Sequence, residues 1–321
     1  MSVFSIMKSL GLSVFIVLCA FITTATYSET VSTKPSLMPG KSQPFVDPVW
    51  GGAADPCIIY NDEAGEYFIY YTQRRANLAE PKGVTWMHGS AIGIASSKNG
   101  SIWTYRGICQ GDDQLGDPIK GNRTWWAPQV IKDNGIYHMF VVYVNGIYPD
   151  FGTGKAFIKQ FTSRDGLTWK YQFQIDLEDD VIDPCISRIG GKWWMWYKHE
   201  NKIFAATSDD LKSWTKQGQA LKEEPYEAPY VFPWKGQYWL LVDTMKNGID
   251  VFKSPTATNN WTRAGHIWGA HPAVLEDGER RILVCHTRDI TSKDAELNNR
   301  RSQIQLYALM INDTGELQQV W

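Results

Sequence analysis

The chain has 321 residues, 43% hydrophobic and 21% charged, with a formal net charge of -2. This is ordinary globular composition, and the length suits one large domain or two smaller ones. The near-neutral balance gives no electrostatic ground for a nucleic-acid or anionic-membrane partner, so neither is expected.

The first predicted element is an export signal. Lys8 supplies a positive start, and residues 10–22 are mostly apolar but too short to span a bilayer comfortably. Thr23-Thr24-Ala25 then offers a cleavage site. Residues 1–27 therefore read as a signal peptide, with a retained membrane anchor as the alternative. The mature protein is expected to be secreted or periplasmic, with no membrane partner after cleavage. A lipoprotein is disfavoured because Leu18 precedes Cys19. Residues 28–45 carry Ser, Thr, Pro and Lys without periodicity and read as a loose leader, leaving 46–321 as the folded domain.

Five hairpins follow, each built from an X-Pro step with apolar residues, a turn, and an aromatic-rich strand. They begin at Asp55-Pro56, Ala127-Pro128, Asp183-Pro184, Ala228-Pro229 and His271-Pro272. Their turns carry Ala64-Gly65, Asn134-Gly135, Gly190-Gly191, Lys235-Gly236 and Asp277-Gly278. Gly, Asn or Asp between apolar strands is the hairpin signal, and proline is tolerated at a strand's first position. Fifteen Trp, fifteen Tyr and thirteen Phe are mostly accounted for by such strands. A second motif follows four of the hairpins, at 92–104, 158–169, 204–215 and 251–262: a strand, a polar turn, then Trp-Thr or a variant. The fifth hairpin is followed by a looser version.

Each unit is thus about four strands. The prolines are spaced 72, 56, 45 and 43 residues apart, with insertions at 72–91 and 108–125. Four-stranded units at this period are the signature of propeller blades, so the predicted fold is all-β, a five-bladed β-propeller. A two-sheet sandwich is the competitor, but it leaves five matched units unexplained. Closure is expected from pairing of the chain's two ends, with Val320-Trp321 or the segment before it as one partner. Cys57, Cys109, Cys185 and Cys285 remain after the signal; their spacing fits neither a knottin nor a zinc site, and they are expected to be small buried residues.

The first strand of each blade lines a central channel, so the X-Pro steps converge on one mouth. This brings together Asp55, Trp126 or Ala127, Asp183, Glu227 and His271. Like charges at close range raise at least one pKa, and that separates an acid from a base. Glycoside cleavage needs such a pair. The alternative is that Asp55 and Asp183 merely cap turns.

The steps Ala54-Asp55-Pro56, Trp126-Ala127-Pro128, Ile182-Asp183-Pro184 and Glu227-Ala228-Pro229 resemble, in order and spacing, those of glycoside hydrolase family 43 and the related family 117. The resemblance runs from about residue 50 to 310. It implies that Asp55 is the base, that Asp183 tunes and positions the acid, and that Glu227 is the acid. Tyr226 stands where family 117 has a histidine linked to acid catalysis, which favours Glu227. Ala270-His271-Pro272 keeps only the His of the family 43 fifth-blade step. The resemblance suggests that His271 holds an axial metal ion or its water shell, with a hydrogen-bonded channel histidine as the alternative. No four ligands show metal spacing, so no cofactor is expected to be required; a structural calcium ion in the central channel stays open. His286 and Arg288 resemble a His-x-Arg step whose Arg contacts substrate.

The first insertion carries Arg74, Arg75, Asn77, Trp86 and His88. On the rim these residue types suit recognition of sugar hydroxyls or a carboxylate, and a solvated loop is the plain alternative. Trp125 and Trp126 are candidates to stack on a sugar face, with one of them expected to pack into the blade. The expected activity is inverting, exo-acting hydrolysis of a plant or algal polysaccharide or oligosaccharide. The competing readings are a carbohydrate-binding propeller without catalysis, and a sugar phosphorylase or transglycosylase whose phosphate site would draw on Arg74, Arg75 and Arg288.

Overall fold

The structure is a computed structural model that describes residues 34–112, 115–222 and 225–321. The signal peptide read into residues 1–27 lies outside the described residues. A short strand β1 (Phe45–Val46) precedes five antiparallel meanders. The first is β2 (Gly52–Asn61), β3 (Glu66–Arg74), β4 (Ala91–Ser97) and β5 (Thr104–Ile108). After the two-residue β6 (Gln110–Gly111) comes the second: β7 (Thr124–Asp133), β8 (Ile136–Val144), β9 (Ala156–Ser163) and β10 (Thr168–Gln174). The third is β11 (Val181–Ile189), β12 (Lys192–His199), β13 (Lys202–Ser208) and β14 (Thr215–Leu221). The fourth is β15 (Glu227–Trp234), β16 (Gln237–Asp243), β17 (Ile249–Ser254) and β18 (Thr262–Ile267). The fifth is β19 (Ala270–Asp277), β20 (Arg280–Arg288), β21 (Ser302–Ile311) and β22 (Leu317–Val320), with a six-residue helix α1 (Ala295–Arg300) ahead of β21.

The turn chemistry explains the hairpins. Asn134-Gly135, Gly190-Gly191 and Lys235-Gly236 each place two successive residues at positive φ, as the two-residue turns that match strand twist require. The repeated Ser-x-Asp signal also has a local cause. Asp165 Oδ1 accepts from Ser163 Oγ and from the N–H groups of Leu167 and Thr168 at 2.8 Å, and Asp210 does the same for Ser208, Lys212 and Ser213. Each Asp thus folds its own turn.

Successive side chains on a strand point to opposite faces, and here both faces are buried. On β3, Phe68 and Tyr70 pack against Met139 and Trp169 of the second meander, while Tyr67 and Tyr71 pack against Val284 and Leu306 of the fifth. Phe140 meets Met195, Trp196 meets Leu240, and Trp239 meets Leu283 in the three remaining layers. The first strands touch in the order β2, β7, β11, β15, β19, and β19 touches β2 again. The core is therefore a series of aromatic layers between neighbouring meanders.

The first and last described strands both join the fifth meander. β1 pairs with β21 at Phe45↔Ile304, and β22 pairs with β21 at Leu309↔Gln319. The leader expected to be loose through residue 45 is, from Lys34 on, part of the same compact unit. Leu37 is fully buried and Phe45 nearly so, because these apolar side chains fill the layer between the fifth and first meanders. Cys57, Cys109, Cys185 and Cys285 are free and buried.

Candidate active site

Every first strand carries the same irregularity. Pairing with the second strand skips two residues, at 55–56, 127–128, 183–184, 228–229 and 271–272. The residue before each proline is left-handed: Asp55 has φ 50°, Ala127 45°, Asp183 58°, Ala228 48° and His271 52°. A residue before proline prefers extended backbone, and a non-glycine at positive φ costs about 1–3 kcal/mol. Such bulges re-aim side chains at functional sites. They agree with the alignment of the X-Pro steps. Asp55, Asp183 and His271 are equivalent to Ala127 and Ala228, whereas Glu227 stands one residue earlier and matches Trp126.

The bulge N–H groups knit neighbouring meanders together. Ala127 N donates to Thr72 Oγ1 at 2.8 Å, Ala228 N to Asp183 Oδ2 at 3.0 Å, His271 N to Asp243 Oδ2 at 2.9 Å, and Asp55 N to His286 Nδ1 at 3.1 Å. In each of these four bonds the accepting side chain comes from the preceding meander, counting the fifth as preceding the first.

Asp55 is buried, with Oδ1 2.7 Å from Arg74 Nη2, 3.4 Å from His271 Nδ1 and 3.7 Å from His286 Nδ1. Burial alone would raise its pKa, but Arg74, His271, His286 and a hydrogen bond from Thr72 outweigh that and hold it well below the usual carboxylate range. His286 is pushed down to about 3 by burial and by Arg74, so it is neutral at ordinary pH. Its Nδ1 therefore accepts the Asp55 N–H.

Asp183 and Glu227 form a second group. Burial first, then the charges of Glu227 and Asp55, raise Asp183 to about 6, against the pull of His271 and Lys198. Asp183 is 7% exposed and tied to the Ala228 backbone, while the Glu227 side chain is 29% exposed and reaches the mouth. Glu227 Oε2 accepts from Lys198 Nζ at 2.8 Å. Burial would lower the Lys198 pKa, but Glu227 and Asp183 together raise it, so Lys198 stays charged. No motif had pointed to Lys198. Tyr226 turns away and donates to Asp250 Oδ2 at 2.8 Å.

The rim is uneven. Val84 N of the first insertion donates to Pro149 O at 2.9 Å, joining 75–90 to 145–155. Arg300 Nη1 donates to Leu78 O at 3.0 Å, joining 289–301 to the same loop. These three segments make one wall beside the fifth, first and second meanders. The corresponding links beside the third and fourth are the short 200–201 and 244–248.

The candidate binding residues divide accordingly. Arg74 reaches the Asp55 carboxylate, whereas Arg75 is buried and donates to the carbonyls of His88 and Thr85, building the loop itself. Trp86 is half-buried in that loop. His88 is buried, lowered to about 4 by burial, and packed edge-on to Trp126 at 4.9 Å, with Phe151 6.1 Å away. Trp126 is half-buried, anchored by Nε1 to Met87 O at 2.8 Å. Trp125 is a correction: it is fully buried against Phe161 and Tyr143, because adjacent strand residues face opposite ways. Arg288 is exposed and reaches Asn299. Phe151, exposed at the rim beside Trp126, was not singled out in the sequence.

Among the described residues, no group of three or more His, Cys, Asp or Glu side chains is placed to hold a metal ion. His271 turns Nδ1 toward Asp55.

No protein-family model matches the chain. It is 26% identical over 212 residues to a 1,2-β-oligomannan phosphorylase of Thermoanaerobacter, covering 61% of this chain and 62% of that protein. It is 25% identical over 276 residues to a probable arabinan endo-1,5-α-L-arabinosidase A of Emericella nidulans, covering 75% and 79%. Among solved structures it is similar to a family 43 β-xylosidase/α-arabinofuranosidase from a compost metagenome, in complex with xylotriose in a calcium-free form. That match has a TM-score of 0.67 at 17% identity, over 88% of this chain and 98% of the other. A family 43 enzyme from Xanthomonas citri complexed with xylose follows at 0.62 and 15%, over 86% and 92%. At these identities the likeness is one of fold: the chain is all-β, strand-dominated, and built on the scaffold of the family 43 glycosidases.

Proposed function

We propose that this chain is a glycoside hydrolase in which Asp55 is the general base, Glu227 the general acid and Asp183 the residue that tunes and places the acid. The observation that carries this reading is the contrast between the carboxyl groups. Asp55 is held ionised by Arg74, fit to activate water. Glu227 is the more open carboxyl, beside Asp183, whose pKa burial and neighbouring charge raise, and is fit to protonate a leaving oxygen. The five meanders are read as the blades of a five-bladed propeller, closed by β1 and β22 on β21. The layers between neighbours and the contact of β19 with β2 support this.

The uneven rim supports exo action. The wall at 75–90, 145–155 and 289–301 would enclose the terminal sugar near Asp55, Arg74, His88 and Trp126. The low side, where Glu227 lies, would let the rest of the chain leave. Inversion follows from placement. In the ring of first strands β2 and β15 are not neighbours, with β19 and His271 between them, which suits the separation of about 6.5–9.5 Å that leaves room for water. The substrate class is a plant or algal polysaccharide or oligosaccharide, as the names of the arabinanase and xylosidase relatives suggest. The protein is read as exported through residues 1–27.

The likeness to an oligomannan phosphorylase favours one second reading, phosphorolysis. A screen of aryl glycosides and oligosaccharides, with and without inorganic phosphate, tests both. Phosphate-independent release of sugar, with the first-formed anomer inverted by proton NMR, is expected. Retention, or strict dependence on phosphate, would overturn the assignment.

A further inference from the structure

Lys198 is the penultimate residue of the aromatic strand β12, on the low side of the site, where no sequence motif assigned a role. Its ammonium is mostly buried, and it donates to one oxygen of Glu227, Oε2, at 2.8 Å. It also lies 3.8 Å from the sulfur of half-exposed Met245, and within electrostatic reach of Asp183 and Asp180. Its backbone is fixed on both sides, paired with Ile182 of β11 and Ile203 of β13. Glu227, by contrast, is the first residue of β15 and sits just before a strained bulge. Asp183 fixes the backbone there through Ala228 N–H and does not hold the Glu227 carboxyl by a bond of its own. Lys198 is the group that does.

We infer that Lys198 is a positioning residue for proton delivery, clamping Oε2 of Glu227 so that Oε1 faces the leaving oxygen; this rests on the hydrolase reading above. A long side chain holding a carboxyl at one oxygen fixes its plane. A fixed plane matters in proportion to how much proton the leaving group needs, since proton transfer demands close and aligned approach. The cation stands on the acid's side of the single displacement, so its effect belongs to protonation of the leaving oxygen and not to activation of water by Asp55.

The test uses the full mature chain with aryl β-xylosides and α-arabinofuranosides ranging from dinitrophenyl to unactivated leaving groups. Lys198→Met is expected to lower kcat by about 10-fold or more on the poorest leaving groups, a fraction of the whole general-acid effect. On the dinitrophenyl glycoside it should cost less than about 3-fold, with KM nearly unchanged, because that leaving group needs little proton. Activity on the dinitrophenyl substrate doubles as the control for folding. Lys198→Arg should restore most of the loss. Adding Lys198→Met to Glu227→Gln should cost nothing further, since residues acting as a unit are not additive. A uniform loss across leaving groups, no loss, or full additivity with Glu227→Gln would overturn the inference while leaving the hydrolase reading intact. If Glu227→Gln itself is as active as the parent on poor leaving groups, or the parent cleaves no glycoside, the hydrolase reading fails and the inference with it.

Discussion

Asp55 and Asp183 occupy equivalent bulge positions on β2 and β11, yet their surroundings push them in opposite directions. Asp55→Asn keeps an acceptor for Arg74 but loses the charge that Arg74 favours. At pH 7 this variant is expected to be less stable than the parent by about 1–3 kcal/mol. Asn at position 183 relieves a buried charge. The folded value of about 6 for Asp183 lies above its ordinary 3.8, so the folded state binds that proton more tightly. Its contribution is fully present below pH 3.8 and lost as pH rises through about 6. Asp183→Asn should therefore melt higher than the parent at pH 8, by on the order of 1–3 kcal/mol, with the gap closing by about pH 4. Thermal denaturation across this range checks both signs, and two shifts in the same direction at pH 8 would contradict the electrostatic account. For catalysis, Asp55→Asn and Glu227→Gln should each lose at least about 100-fold on substrates with poor leaving groups while still binding product sugar. Near-parental turnover of either would remove its assigned role.

The bulged first strand is the element that makes the site. An ordinary strand would alternate its side chains between the two packing layers. The skip at each X-Pro step breaks the alternation and turns one residue into the mouth. The strain is held by bonds between meanders, and Thr72 shows this most directly. Its hydroxyl accepts from Ala127 N–H on β7 and donates to Asp55 on β2, serving the second bulge and the Asp55 carboxylate together. Thr72→Val keeps the shape and removes both bonds. It is expected to cost about 1–3 kcal/mol of stability, the penalty of a buried unpaired N–H, and to lower kcat more than it raises KM. Denaturant unfolding and steady-state kinetics on one preparation would show it; a stable variant with intact turnover would mean that the bulges hold themselves.

At the scale of the whole molecule, β21 carries the first and last described strands on its outer edge, β1 at one end of the strand and β22 at the other. Leu317 of β22 is buried in the layer between the fourth and fifth meanders, so the last strand both covers an edge and fills a core. A chain ending at residue 316 should fold with a Tm lower by several degrees, consistent with losing a buried leucine at about 2–5 kcal/mol. It should also self-associate through the bared edge of β21. Light scattering together with a melting curve tests this, and an unchanged Tm in a monomeric truncation would show that β22 is dispensable.

Much of this was written locally in the chain. The turns at Asn134-Gly135 and Gly190-Gly191, the Ser-x-Asp folds at Asp165 and Asp210, and the spacing of the X-Pro steps depend on near neighbours. They announced the strands, the five units and the carboxylates Asp55, Asp183 and Glu227. The alignment of the X-Pro steps also put Glu227 one position before the place of the two aspartates, since a Glu-Ala-Pro step stands against two Asp-Pro steps. Other features depended on which faces and loops of different strands meet. Trp125 went to the core and Trp126 to the mouth because a strand's period of two must choose one of them. Leu37 and Phe45 became core because a layer between the fifth and first meanders lay open to them. Arg74 found Asp55, and Lys198 found Glu227, across 19 and 29 residues of chain. No local pattern marks such pairs, because packing within and between meanders decides which side chains meet and what that company does to their charge.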